Sequence, residues 1–276
     1  MNFKKLAAAL MAAALCVTGA GCSRSAESSG NTGDTGNTDG TVSDGGSARE
    51  FDTELTAMQL TSDIKIGWNL GNTLDATGGS GLTQETSWGN PAVTPELIQA
   101  VKDAGFNAIR VPTTWERQIG DDGTISADWM SRVQQIVDYA YDLDMYVILN
   151  MHHEEWYQPY ADKEEEISAK LSSCWTQIAE NFKDYDQHLI FEGMNEPRQT
   201  GASYEWQGNA ECYEVVNKLD NDFVETVRSI DSPYQNTRLL MIPSYAASAY
   251  ASSYSALDVP DDDYVAVSLH AYTPYA

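Results

Sequence analysis

Positive charge is scarce in this chain. Its 276 residues hold 16 Lys and Arg against 41 Asp and Glu, a formal net charge of −25 at pH 7. So acidic a surface repels phosphate backbones and anionic headgroups, which argues against nucleic acid as a partner. Cysteine is sparse too, at four residues. Only Cys174 and Cys212 fall beyond Cys22, at a spacing that fits no metal motif. An exported location would permit a disulfide between them, but they read more simply as two small buried thiols. No G-x-G-x-x-G turn follows the first strand-like run, where Gly67-Trp68-Asn69-Leu70-Gly71 stands instead, and no H-E-x-x-H occurs. The apolar run from Leu6 to Val17 is too short for a stable membrane span.

A composition of 42% hydrophobic and 21% charged residues describes a soluble globular chain with a core of its own. Seven Trp and 15 Tyr supply flat amphipathic rings, most of them for packing, though such rings also suit stacking on neutral sugars. Lys4 and Lys5 before the apolar run, then Gly19-Ala20-Gly21, mark residues 1–21 as an export signal. Cys22, directly after, resembles the lipidated residue of bacterial lipoproteins, although Gly19 stands where such sites usually carry Leu. The reading expects an exported chain, either a cell-surface lipoprotein or secreted, touching a membrane only through that lipid. Residues 22–50 are dominated by Ser, Gly, Thr, Asn and Asp and read as a flexible tether. Residues 51–276 form the folded part.

Short β-rich runs alternate there with helical patterns. Six strands are expected, at Ile64–Leu70, Phe106–Val111, Tyr146–Met151, His188–Met194, Leu239–Ile242 and Tyr264–Leu269. Helices are expected from Thr94 as N-cap with Pro95 at the first position, and over Trp129–Leu143, Glu164–Phe182 and Tyr213–Ile230. Alternation puts Ala108 with Arg110, Ile148 with Asn150 and His152, Ile190 with Glu192, Met194 and Glu196, and Ala266 with Ser268 and His270 on shared faces; the opposite faces are purely apolar. Apolar faces call for helices, while polar groups gathered toward the carboxyl ends converge only if the strands ring a common axis. The expected fold is therefore an α/β TIM (β/α)8 barrel, incomplete, with about six of its eight strands present.

Asn195-Glu196-Pro197 places a carboxyl group at the mouth of such a barrel beside an amide. A proton donor to a glycosidic oxygen needs a carboxyl whose pKa is raised by burial or by a neighbouring carboxylate. Taken alone, the tripeptide reads as readily as a surface loop. It is accompanied, in order and at strand ends, by Asn69-Leu70-Gly71-Asn72-Thr73-Leu74-Asp75-Ala76, Arg110-Val111-Pro112, Asn150-Met151-His152-His153-Glu154, Phe191-Glu192-Gly193-Met194 and His270-Ala271-Tyr272, with Trp88-Gly89-Asn90-Pro91 between the first two. Together these motifs resemble glycoside hydrolase family 5, the retaining β-glycanases, and especially its endoglucanase and xyloglucanase branch, from about Phe51 to Ala276.

The resemblance implies an endo-β-1,4-glucanase that cleaves internal bonds of β-glucan polysaccharides or oligosaccharides by double displacement, with no cofactor and no metal. It implies Glu196 as general acid/base, Asn195 on the sugar 2-hydroxyl, and Arg110 on the barrel floor near the nucleophile. Parity allows Arg110 an interior ion pair with Glu192 as well. His152, His153, His270 and Tyr272 would line the subsite where the bond breaks, with Asn69 at the first strand end. Neighbouring positions on a strand point apart, which argues against a His152–His153 metal pair. Trp88, Trp115 and Trp156 fall in strand-end loops, as stacking platforms or as core caps. The family's nucleophile is a Glu at the end of a seventh strand, and this chain has no Glu after Glu225. The reading expects a fragment ending before that strand, inactive alone. A competing reading is a non-catalytic surface lipoprotein that binds glycans. Nothing in the sequence sets the oligomeric state.

Overall fold

A computed structural model describes residues 55–272. The expected export signal, Cys22, the expected tether and the start of the expected folded part fall in residues 1–54, outside the described residues. All six expected strands form, as β1 (Gly67–Asn69), β2 (Ala108–Thr113), β3 (Tyr146–Met151), β4 (Leu189–Glu192), β5 (Leu240–Ser248) and β6 (Val265–His270). They make one parallel sheet in the order β1-β2-β3-β4-β5-β6. A doubly wound sheet reverses its strand order at a switch point; this sheet never does, so each strand lies beside its sequence neighbour as in a barrel. The fold is an incomplete TIM barrel with six strands among the described residues.

The connecting helices follow their sequence signals. Helix α2 (Pro95–Asp103) is capped by Thr94, whose side chain accepts from the Leu97 amide, and it turns Ile98 and Val101 inward before Gly105 leaves with φ +97°. Helix α3 (Ala127–Tyr141) buries Trp129, Val133, Ile136, Val137 and Ala140 on one face. Three Glu open α4 (Glu164–Asn181), where negative charge meets the positive end of the helix dipole. Helix α5 (Ala210–Arg228) is capped by Asn209. The short helices α1 (Ala57–Asp63) and α6 (Ala251–Ser255) were not anticipated.

The two faces of the sheet separate as parity requires. Ile109, Val111, Val147, Leu149, Leu189, Phe191, Leu240 and Ile242 join the helices in the main core. Ala108, Tyr146, Ile190 and Leu239 form a second cluster with Leu60 of α1. These lie at the amino ends of their strands, so α1 closes that end, and the carboxyl ends are left for polar groups. Cys174 and Cys212 are free and buried, and burial pushes the Cys174 thiol up to about 12.

Parity fails where strands stop. β4 ends at Glu192, and Met194, expected on the polar face, packs into the main core. β5 runs six residues past its expected end and carries an irregularity between Pro243 and Ser248, with Ala246 at φ 56° and Ala247 at φ 47°. That bulge is functional scaffolding: the Ala246 amide donates to the Pro197 carbonyl at 3.0 Å, and the Gln199 amide donates to the Tyr245 hydroxyl at 3.1 Å. Two bonds from β5 thus fix the segment that begins with Glu196.

Candidate active site

At the carboxyl ends of the strands lies a cleft of about 820 Å³, lined by Trp88, His152, His153, Asn195, Glu196 and Arg198 among others. Its floor is an ion pair. Arg110 Nε donates to Glu192 Oε2 at 2.5 Å and Nη2 to Glu192 Oε1 at 3.2 Å, and the Glu192 side chain is wholly buried. Ser268 Oγ donates to Glu192 Oε1 at 2.8 Å. The interior pair that parity allowed is therefore made. The guanidinium also reaches Asn195 Oδ1 at 2.9 Å and Asn69 Oδ1 at 3.3 Å, tying β1, β2 and the segment after β4 into one network.

Glu196 stands above this floor with its side chain 14% exposed. Oε1 lies 2.6 Å from His270 Nδ1, and Oε2 accepts from Arg198 Nη1 at 3.1 Å. The sequence led to the expectation of a raised pKa, and the structure corrects it. Burial does act upward, but the hydrogen bond and charge of His270, with Arg198 and His153, outweigh it and hold the carboxyl below its ordinary value. The cleft carboxyl whose pKa is raised is Glu154, fully buried and pushed up to about 7 by desolvation. Its oxygens are occupied, by the Trp115 amide at 2.5 Å and by Trp156 Nε1 at 2.7 Å.

His152 and His153 do not point apart. β3 ends at Met151, so strand alternation no longer governs them, and their rings meet edge to face at 4.3 Å in the same cleft. His152 Nδ1 is held by Asn150 Oδ1 at 2.7 Å, and burial, with the positive neighbours, pushes its pKa down to about 2. Burial lowers His153 as well. Both shifts favour the neutral imidazole, which can donate and accept a hydrogen bond. With Asp75 they form the grouping among the described residues that has the spacing to hold an ion, their donor atoms lying within 4.8 Å of one another. The two Asp75 oxygens already accept from the Asn72 and Thr73 amides at 3.0 and 2.7 Å, which fastens the loop after β1.

Trp88 sits 5.7 Å from the His153 ring, 45% exposed, on a loop pinned to α3 by the Arg132–Glu85 pair at 2.8 Å. Of the other two candidate platforms, Trp115 is fully buried and belongs to the core, while Trp156 is half-buried beneath Lys170, whose Nζ lies 4.7 Å from the ring centroid. Tyr272 is 65% exposed, 6.3 Å from the His270 ring. Sequence reasoning missed Arg198, Glu154 and Asp75 as site residues. Each stood inside or beside a motif already singled out, Arg198 directly after Asn195-Glu196-Pro197, but pairing partners distant in sequence gave them no separate signal.

An α/β barrel with a carboxylate, an amide and imidazoles gathered at its strand ends is the class of enzyme that works on bound small or polymeric substrates at that face. The chain belongs to glycosyl hydrolase family 5, whose sequence model, Cellulase, matches residues 71–276. It is 45% identical over 227 residues to Endoglucanase A of Ruminococcus albus, an alignment covering 81% of this chain and 62% of that protein. To Endoglucanase B of Clostridium cellulovorans it is 47% identical over 227 residues, covering 80% of this chain and 50% of the relative. Among solved structures, a broad-specificity endoglucanase from Ruminococcus flavefaciens superposes with a TM-score of 0.78 at 52% identity, covering 80% of this chain and 65% of the other. One from Ruminococcus champanellensis with bound cellotriose gives 0.80 at 43% identity, covering 82% and 69%. The chain thus spans between half and two thirds of the length of the two curated relatives. Nothing in these comparisons supports the non-catalytic reading.

Proposed function

We propose that this chain carries the acid/base side of a retaining endo-β-1,4-glucanase site, acting on internal bonds of cellulose, mixed-linkage glucan or xyloglucan. The observation that carries the reading is Glu196, held over the Arg110–Glu192 floor in an open cleft with Asn195 beside it and His270 at 2.6 Å. In this reading Glu196 protonates the leaving oxygen and then draws a proton from water, Asn195 meets the sugar 2-hydroxyl, and Trp88, His152, His153 and Tyr272 contact the chain around the cut. A retaining mechanism also needs a nucleophilic carboxylate about 5 to 5.5 Å from the acid. The family resemblance puts it on a seventh strand, and the described sheet has six.

The test is Glu196→Gln in a chain that also carries the nucleophile strand. Turnover of an unactivated glucan should fall by about 10²–10⁴-fold, as expected for loss of a general acid, while oligosaccharide binding measured by calorimetry persists. Hydrolysis at the original rate would remove Glu196 from the role. We further infer export, a Cys22 lipid anchor and a tether over residues 22–50, supported by the charged, apolar and small-residue segments of the leader. Mass spectrometry of the mature N-terminus should find acylated Cys22; an unmodified terminus elsewhere would refute the anchor.

A further inference from the structure

Both carboxylate oxygens of Glu196 are occupied by nitrogen donors of potentially cationic groups, His270 Nδ1 on Oε1 and Arg198 Nη1 on Oε2. Each oxygen keeps a second lone pair, but two such charge-assisted bonds favour the ionised form, whereas proton delivery to a glycosidic oxygen within about 2.6 to 3.2 Å needs the protonated one. Opening either bond moves the group toward the acid form. The two partners differ in what they retain when their bond opens.

Arg198 is multiply anchored. Its Nε donates to Glu205 Oε1 at 3.0 Å, its Nη1 also reaches the Glu196 main-chain carbonyl at 3.2 Å, and its guanidinium lies 4.5 Å from the Trp206 ring centroid. Glu205 is itself held by the Gly201 amide at 2.9 Å. If Oε2 is taken away, the guanidinium keeps an ion pair, a carbonyl and an aromatic face, so release leaves no orphaned charge. Arg198 also lines the cleft and is 26% exposed, placing it where an entering sugar meets it. His270 stands at the end of β6 and meets Glu196 through Nδ1. His153 and Tyr157, both lining the cleft, are further titratable groups coupled to Glu196.

We propose that Arg198 is a positioning residue that adds to the hold of His270 on Glu196 while the cleft is empty, and that a sugar entering on its side takes Oε2 from it, so that the acid is armed only with substrate in place. The proposal rests on the acid/base reading above and adds a substrate-operated step to it. On release, Oε2 gains a proton from solvent, and no other bond is made or broken.

Binding and proton uptake separate the two ideas. Calorimetric titration of the 276-residue chain with cellohexaose at about pH 5, in two buffers of different ionisation enthalpy, should show uptake of roughly half a proton or more per ligand, since losing an Arg partner moves a carboxyl pKa by about 1 to 3 units. Arg198→Met should at least halve that uptake with binding retained, Arg198→Lys should restore it, and Glu196→Gln should abolish it. Binding without proton uptake, or unchanged uptake in Arg198→Met, overturns the role of Arg198 and leaves the acid/base assignment standing. Failure of the chain to bind cellohexaose at all overturns the glucan reading, and the role of Arg198 with it.

Discussion

Asp220 shows what a single buried charge does to the pH behaviour of this fold. It lies on α5, wholly inside the protein, and neither carboxylate oxygen has a hydrogen-bond partner among the described residues. Desolvation alone raises its pKa well above the ordinary aspartate value. The folded protein therefore binds a proton that the unfolded chain has released at any pH between the unfolded and folded values. In that window stability falls as pH rises, because unfolding releases a proton. Asp220→Asn removes the titration and keeps the shape. Denaturant unfolding should show wild type losing stability relative to the variant as pH climbs from about 4, near the model carboxylate value, into the neutral range. Parallel pH curves for the two proteins would mean that Asp220 stays ionised in the fold. Arg238 is the opposite case: equally buried, it donates to the carbonyls of Asp186 at 3.1 Å and Leu189 at 2.6 Å, so its charge is distributed over backbone acceptors. A buried charge is tolerable here when the chain supplies partners, and Asp220 has no hydrogen-bond partner among the described residues.

Gly193 joins the end of β4 to the motif that carries Glu196, and its constraint is space. A Cβ there would meet the Phe223 ring at 2.6 Å, while the Gly193 carbonyl accepts from Trp175 Nε1 at 3.0 Å. Phe223 of α5 packs 4.7 Å from Trp175 of α4, so the strand end, α4 and α5 meet at this one point. Gly193→Ala should destabilise by about 1 to 3 kcal/mol through overpacking, and Phe223→Leu in the same chain should recover part of it, a coupling read from a double-mutant cycle in denaturant. Additive effects would show that the backbone, and not Phe223, absorbs the methyl group. The elements themselves were legible: Thr94-Pro95 marks the start of α2, and the apolar alternation in Ile109, Val111, Val147 and Leu149 marks the helix-facing side of the sheet. Parity also puts Arg110, Glu192 and Ser268 on the polar faces that meet in the structure. It stopped being informative at the last paired residue of each strand. His152, His153 and Met194 lie just past such ends, where the chain turns and period two no longer applies. The β5 bulge was hidden for a related reason: its left-handed residues are Ala246 and Ala247, not glycines, so no residue type announces them.

Across the whole molecule the acidic excess sets a limit that no local pairing can remove. With 41 acidic and 16 basic side chains, one-to-one pairing leaves 25 carboxylates without a basic partner. Among the described residues, the partly buried pairs Arg110–Glu192, Arg132–Glu85, Arg228–Asp262 and Arg198–Glu196 already use four of the cations. Repulsion among surface carboxylates is long-ranged at low ionic strength, where the Debye length is about 30 Å at 0.01 M, and is largely screened near 0.15 M, where it is about 8 Å. The partly buried pairs are screened far less, so salt should relieve the repulsion without undoing the attraction. The melting temperature should then rise between about 0.01 M and 0.15 M NaCl at neutral pH, by roughly 2–4 °C if the repulsion relieved is near 1 kcal/mol for a domain of this size. The rise should shrink near the sequence pI of about 4.2, where the excess charge is gone. Cellohexaose is uncharged, so its affinity should change little over the same salt range. A melting temperature that falls with salt would show that surface ion pairs outweigh the acidic excess, and an affinity that falls with it would place a charged group, not the sugar face, at the centre of recognition.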